Sequence, residues 1–299
     1  MKVFVAGGTG AIGSHAVPAL VRAGHTVTAL ARTPDKAAAL AAQGAEPRRI
    51  SIFDTEALAK AFAGHDAVIN LASRLPSMAR FLSAKAWAAN NEVRTKGSAA
   101  LVDAAMAAGV GRYLQESVSM LYRDRGADWV DEDWPVDNYP STRGNHAAEA
   151  NARRFAGAAV VLRFGWFYGP GAAHSEQLLA MARRHVAPML GPAGTYVSSI
   201  QMADAGEAAA AALDAPAGTY NIVDDEPLTK RDYADALARA AGTTPWIRGP
   251  GRAALLLGDR LTSLTRSLRV SNARFKNATG WVPRYPSARE GWQATALTV

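Results

Sequence analysis

The chain contains no cysteine, which removes disulfides, thiolate metal sites and cysteine nucleophiles together. Histidine is scarce: His15, His25, His65, His146, His174 and His185 are too dispersed for a metal-binding helix, so no metal is expected. No apolar run approaches the ~20 residues of a membrane helix. The stretch Val3-Phe4-Val5-Ala6 is too short for a signal peptide, so a cytoplasmic location with no membrane partner is expected. Basic tracts are missing too. The net charge of +7 rests on scattered Lys and Arg, with only pairs such as Arg48-Arg49, Arg153-Arg154 and Arg183-Arg184. That pattern gives no reason to expect nucleic acid, whereas a mildly positive field suits an anionic cofactor or substrate.

What is present is ordinary globular material: 299 residues, 49% hydrophobic and 20% charged, enough for one or two domains with a buried core. Short apolar runs alternate with alanine-rich stretches through the first half. The candidate strands are Lys2–Ala6, Thr26–Ala31, Glu46–Ile50, Ala67–Leu71, Arg112–Glu116 and Ala159–Arg163. The segments between them are long enough for helical crossovers, so the expected fold is α/β, a doubly wound parallel (Rossmann) sheet. Thr33-Pro34-Asp35 reads as an N-cap, a proline at the first helical position and a first-turn acid. Asp54 or Thr55 starts another helix, and a long helix from about Ala84 to Ala108 stops at Gly109. After Tyr168-Gly169-Pro170-Gly171 the alternation weakens. Residues 1–168 are therefore expected to form the dinucleotide-binding domain, with 195–223 completing its sheet, and 169–194 with 224–299 a smaller substrate-binding lobe.

The first strand runs into Gly7-Gly8-Thr9-Gly10-Ala11-Ile12-Gly13, and a helical pattern follows. Glycines at 7, 10 and 13 permit a tight turn and let backbone amides approach a pyrophosphate at the positive end of the helix, and Thr9 adds a hydroxyl. A cofactor site for NAD usually carries an acid at the end of the second strand; here that place holds Ala31-Arg32-Thr33. An acid would repel a 2′-phosphate, whereas Arg32 can pair with it and stack on adenine, so NADP is expected, with NAD as the alternative.

The chain resembles the extended short-chain dehydrogenase/reductase superfamily of the NAD-dependent epimerase/dehydratase type. The likeness is carried by Val5-Ala-Gly-Gly-Thr-Gly-Ala-Ile-Gly13, Gly64-His-Asp-Ala-Val-Ile-Asn-Leu-Ala72, Tyr168-Gly-Pro-Gly171, Gly218-Thr-Tyr-Asn-Ile-Val223 and Gly280-Trp-Val-Pro283. It implies that Leu71, Ala72 and Ser73 lie along the cofactor, with Ser51 and Ile52 near the adenine. It further implies that Phe164, Gly165 and Trp166 flank the nicotinamide. Members often carry aspartate where Ser51 stands.

The family's chemistry uses a Tyr-x-x-x-Lys pair on one helical face, the phenol moving a proton and the ammonium lowering its pKa. Alignment on the helix containing Ala147-Ala-Glu149 puts Ser141 and Asn145 in those places, and neither side chain can substitute. Tyr139 and Arg143 repeat the spacing, but Pro140 disfavours a helical Tyr139. The family's third hydroxyl falls on Val118, flanked by Ser117 and Ser119, and Tyr122 is another candidate donor. The acidic and aromatic stretch of Asp124, Asp128, Asp131, Glu132 and Asp133 with Trp129 and Trp134 reads as a solvated loop, Glu132–Pro135 being structural.

The expected function is an NADP-dependent oxidoreductase moving hydride to or from a carbonyl or alcohol carbon of a small organic substrate. Its proton relay is nonstandard: Tyr139 or Tyr122 as donor, Ser117 or Ser119 polarising the carbonyl. Two alternatives stay open, a dinucleotide-loaded regulator or scaffold without turnover and a non-redox isomerase or cyclase. Self-association of the chain is also open.

Overall fold

The structure, a computed structural model, describes residues 1–77 and 80–298. A seven-stranded sheet runs in the order Gly218–Ile222, Ala158–Phe164, Arg112–Val118, Ala67–Asn70, Lys2–Ala6, Thr26–Leu30, Glu46–Arg48. The first strand pairs in parallel with both Thr26–Leu30 and Ala67–Asn70, whose far edges pair in parallel with Glu46–Arg48 and Arg112–Val118. The strand order reverses direction beside Lys2–Ala6, the topological switch point at which α/β sheets bind ligands. The fold is the doubly wound Rossmann type that the alternation predicts.

The chain packs as two compact units. The first comprises 1–117, 143–163 and 205–220; the second comprises 118–142, 164–204 and 221–299. In the first unit, the helices Thr55–Phe62 and Ser98–Ala107 lie over the sheet around Phe4, Phe62, Leu101, Tyr113 and Phe155. The expected caps form: Thr33 Oγ1 accepts from Lys36 N at 3.4 Å and Asp54 Oδ1 from Ala57 N at 3.0 Å. The helix expected from Ala84 to Ala108 is instead Ala84–Glu92 and Ser98–Ala107 joined by a π-helical turn, Val93–Gly97. Hydroxyls take up carbonyls there: Thr95 Oγ1 donates to Asn91 O at 2.6 Å and Ser98 Oγ to Arg94 O at 2.5 Å. Arg94, in this turn, is buried and pairs with Glu116 at 2.7 Å.

In the second unit, Tyr168, Leu179, Tyr233, Leu237 and Trp292 form a core between the helices Ala173–Ala182, Lys230–Ala240 and Ala288–Ala296. Short strand pairs tie distant segments: Trp129–Val130 with Arg269–Val270, Trp166–Tyr168 with Ser199–Gln201, and Tyr196–Val197 with Leu228–Thr229. Two expectations change accordingly. Of 195–223, the strand Gly218–Ile222 joins the large sheet, while Ser199–Gln201 is held by Trp166–Tyr168. The acidic loop belongs to the second unit because Val130 is buried with Tyr122, Leu268 and Val270. It is braced as well as solvated: Arg269 lies 4.3 Å from the Trp129 ring centroid and Arg125 3.9 Å from that of Trp134.

Candidate functional site

At the carboxyl ends of the first strands lies a cavity of about 480 Å³, contained within the first unit. Its floor is the glycine loop. Gly7 has φ +89°, and a Cβ there would come within 2.6 Å of the Leu71 carbonyl. A Cβ at Gly13 would overlap the Gly7 carbonyl oxygen. Only glycine lets the loop fold this tightly against the fourth strand. The helix Gly13–Arg22 opens with no side-chain cap at Ile12; the loop itself takes two of its first amides, Ser14 N by Gly10 O at 2.9 Å and His15 N by Ile12 O at 3.0 Å, and the positive end of the helix faces the glycine loop. Ala11 is exposed beside this opening and Ile12 buried.

Gly7, Thr9, Gly10, Arg32, Ser51, Ile52, Leu71, Ala72 and Ser73 all line this cavity, so the structure gathers most of the residues expected around a cofactor. Thr33 stands beside it as the N-cap of Pro34–Ala42. Asn70 shapes the wall formed by residues 71–73: its Nδ2 donates to Gln115 Oε1 at 2.9 Å and its Oδ1 accepts from Ala72 N at 3.1 Å, directing those residues along the opening. Asn90 Oδ1 accepts from Arg74 N at 2.9 Å and fixes the next step.

The charge on the wall is one-sided. Leu30 pairs with Arg48 across parallel strands, so Arg32 and Arg49 leave neighbouring strand ends. Lys36 adds a third cation from the first turn of Pro34–Ala42, and Arg74 a fourth. Glu92 is the wall's acid, and Lys96 pairs with it at 3.2 Å. The sequence reading missed Lys36 and Arg49. Lys36 was findable, since it stands in the first turn of the helix that Thr33 caps directly after Arg32; Arg49 depended on strand register. The cavity fits a dinucleotide by its glycine cradle, uncapped helix start and cationic edge.

The residues expected to do chemistry are distributed between the units. Ser117, in the first, donates to Glu149 Oε1 at 2.7 Å. Arg163 binds Glu149 through Nε and Nη2 at 2.9 and 2.8 Å. Burial would raise the Glu149 carboxyl, but Arg163, Ser117 and Arg153 outweigh it and hold the pKa below its ordinary value. Arg143 is exposed at the start of the helix Arg143–Arg153. In the second unit, Tyr122 is fully buried and donates to Asn221 Oδ1 at 2.7 Å.

Tyr139 lies outside the helix that begins at Arg143, as Pro140 predicts, so the two do not share a helical face. A different cation serves it: the Arg266 guanidinium lies 3.8 Å from the Tyr139 ring centroid. Tyr139 Oη donates to Asp137 Oδ2 at 2.6 Å. Burial, then the bond to Asp137, pushes its pKa up to about 12 against the opposing pull of Arg266. Ser119 is buried and, with Trp166, lines a second, smaller cavity. Phe164 is buried with its ring centroid 5.4 Å from that of Phe167, and Gly165 sits where a Cβ would approach Ser198 O to 2.7 Å.

The family model described as NAD(P)H-binding matches residues 7–216. A 3-diazoavenalumate denitrifying reductase from a Streptomyces species is 34% identical over 97% of this chain and 99% of its own. A 4-hydroxy-2-methyl-3-oxo-4-farnesyl-3,4-dihydroquinoline-1-oxide ketoreductase from Stigmatella aurantiaca is 27% identical over 87% of this chain and 80% of its own. Among solved structures, human epimerase family protein SDR39U1 with NADPH superposes with a TM-score of 0.84 at 23% identity over 100% of both chains. UDP-glucose 4-epimerase from Thermotoga maritima follows at 0.79 and 21%, covering 99% and 98%. These two likenesses are of fold. The chain thus has the build of a nicotinamide-dinucleotide-binding oxidoreductase. It belongs to the NAD(P)H-binding family.

Proposed function

We propose that the protein is an NADP-dependent reductase that moves hydride between the cofactor and a carbonyl or alcohol carbon of a small organic substrate, without a Tyr-x-x-x-Lys pair. The observation that carries the NADP preference is the convergence of Arg32, Lys36 and Arg49 on one cavity wall. A 2′-phosphate carries about two negative charges and three or more acceptor oxygens, which this set answers with charge-assisted hydrogen bonds. The names of both relatives, a denitrifying reductase and a ketoreductase, agree with hydride transfer toward the substrate.

When bound, the nicotinamide supplies hydride from its C4 carbon. The chain then has to hold the substrate oxygen and provide a proton. Ser119, on the wall of the smaller cavity, is the hydroxyl suited to donate to that oxygen. Tyr139 holds a proton at neutral pH, since its pKa is raised to about 12. Arg266 beneath its ring stabilises the phenolate left when the proton departs, and Asp137, 34% exposed, links the phenol to solvent for its return. Ser117 and Tyr122, committed to Glu149 and Asn221, act as supports.

Calorimetry with NADPH and NADH in parallel, followed by NADPH consumption on a panel of ketones, enones and aldehydes, tests this reading. Tighter NADPH binding with turnover supports it; heat with neither cofactor overturns it. One observation favours a second reading, a dinucleotide-loaded regulator: the hydroxyls of Ser117, Tyr122 and Tyr139 all donate to protein acceptors. Stoichiometric NADPH binding with no turnover anywhere on the panel selects it.

A further inference from the structure

The smaller cavity, about 30 Å³ and contained within the second unit, has an electrostatic imbalance. Two of its lining residues are cations, Lys230 and Arg266, each 7% exposed. Their main partners are neutral. Lys230 Nζ donates to Leu264 O and Arg266 O, both at 3.0 Å. The Arg266 guanidinium donates to the carbonyls of Thr262, Met120 and Tyr122. Neither Asp nor Glu is on this wall among the described residues. The nearer carboxylates are engaged elsewhere: Asp124 accepts from the amides of Gly126 and Ser267, each at 2.8 Å. Asp137 accepts from Tyr139 and Arg123 and stays 3.9 Å from Arg266.

Burying two positive charges mainly against carbonyls, with only the long 3.9 Å pair from Arg266 to Asp137 opposing them, is costly, because dipoles compensate a lost hydration shell less well than an opposite charge does. The Lys230 pKa records this, driven down to about 8 by burial, with Asp124 pulling weakly the other way. An anion entering the cavity would meet both cations in a poorly screened setting. A space of this size holds one or two waters, and hence a carboxylate head. The remaining wall is mixed: the rings of Trp166 and Tyr196 and the side chain of Leu268 accompany the serines Ser119, Ser198 and Ser263.

We propose that this cavity binds the carboxylate of the substrate through Lys230 and Arg266, and that the substrate is a planar unsaturated or aromatic acid whose arm lies against Trp166 and Tyr196. The assignment rests on the reductase reading and names its substrate class. Ser119 shares the wall, so the anchored acid presents its neighbouring atoms to the hydroxyl assigned to polarise the substrate. Lys230 and Arg266 are binding residues here, and Tyr139, stacked on Arg266, is adjusted by the same cation.

The test is calorimetric titration of the NADPH-loaded protein with cinnamate and, separately, with methyl cinnamate, two probes that differ in the charge at one end. Cinnamate is expected to bind at least tenfold more tightly, about 1.4 kcal/mol. Lys230→Met, which keeps the chain length and removes one of the two charges, is expected to reduce that preference at least threefold while leaving the ester's affinity within about twofold. Circular dichroism checks that the variant folds; should it not, competition of benzoate against benzamide on the unaltered protein carries the same comparison. Equal affinity of acid and ester, no binding of either, or a preference left undiminished by Lys230→Met overturns the assignment. The titrations are repeated without NADPH. Failure of NADPH itself to bind would sink the reductase reading, whereas intact NADPH binding with no preference for the acid sinks this inference alone.

Discussion

Arg266 reaches back from the C-terminal part of the chain to lay its guanidinium 3.8 Å from the centre of the Tyr139 ring, supplying the cation that the helix after Tyr139 does not. The relationship separates two tyrosines that look equivalent as proton donors. Tyr139→Phe is expected to lower turnover at least tenfold, about 1.4 kcal/mol in the barrier, with little change in melting temperature. Tyr122→Phe leaves the buried Asn221 Oδ1 short of its donor and is expected to cost about 1–3 kcal/mol of stability with a smaller effect on rate. Steady-state kinetics beside urea unfolding decide. Full rates in both variants would exclude the tyrosines from the relay.

Arg32→Ala removes one of the three cations of the larger cavity, with Lys36 and Arg49, that are proposed to meet the 2′-phosphate. NADPH affinity is expected to fall roughly tenfold or more, and NADH affinity to move by less than about threefold. Fluorescence titration of both cofactors measures the contrast, and a parallel loss for both would assign Arg32 to the ribose or adenine instead of the phosphate.

Gly13→Ala introduces a methyl group into the Gly7 carbonyl oxygen, which is backbone and cannot swing aside. The loop has to open, so dinucleotide binding is expected to weaken at least tenfold and stability to drop by about 1–3 kcal/mol. Gly24→Ala is a control for the fold: a Cβ there meets nothing within 4 Å, though φ +81° still strains it. It should leave NADPH binding unchanged.

Asp224 is buried among Tyr168, Ser199 and the charge of Asp204, and burial first, then Asp204, raises its pKa well above the ordinary value. The native state therefore holds a proton that the unfolded chain releases near pH 4. Between those two pKa values the native state binds more protons, so this group's contribution to stability falls as pH rises from about 4 toward the folded value. Asp224→Asn is expected to flatten that slope and to melt no lower than the parent at neutral pH. A melting series across pH checks it; a variant less stable at every pH would show that the carboxyl is needed as a carboxylate.

Legibility followed the range of the forces involved. The glycine loop, the Thr33 and Asp54 caps, the stop at Gly109 and the break between Tyr139 and the helix Arg143–Arg153 are set by residues within a few positions, and the sequence pattern predicts each. The π-helical turn at Val93–Gly97 escaped because it depends on how the Thr95 and Ser98 hydroxyls compete for carbonyls inside an otherwise uniform alanine-rich pattern. Lys230 and Arg266 escaped for another reason. Each reads as an ordinary surface cation until the fold buries it, and burial is a property of neighbours contributed by remote segments.

Periodicity and turn chemistry thus determined, within the chain itself, a doubly wound sheet with a glycine loop at its first turn and no acid after its second strand. Tertiary structure alone decided which charges face a common space: Arg49 beside Arg32 through strand register, Arg266 beneath Tyr139, Lys230 against a cavity with no carboxylate among its described lining residues. Hydrogen-bonded turns need only adjacent residues, whereas the strength of a charge depends on the solvent it has lost, and that loss exists only once distant parts of the chain have closed around it.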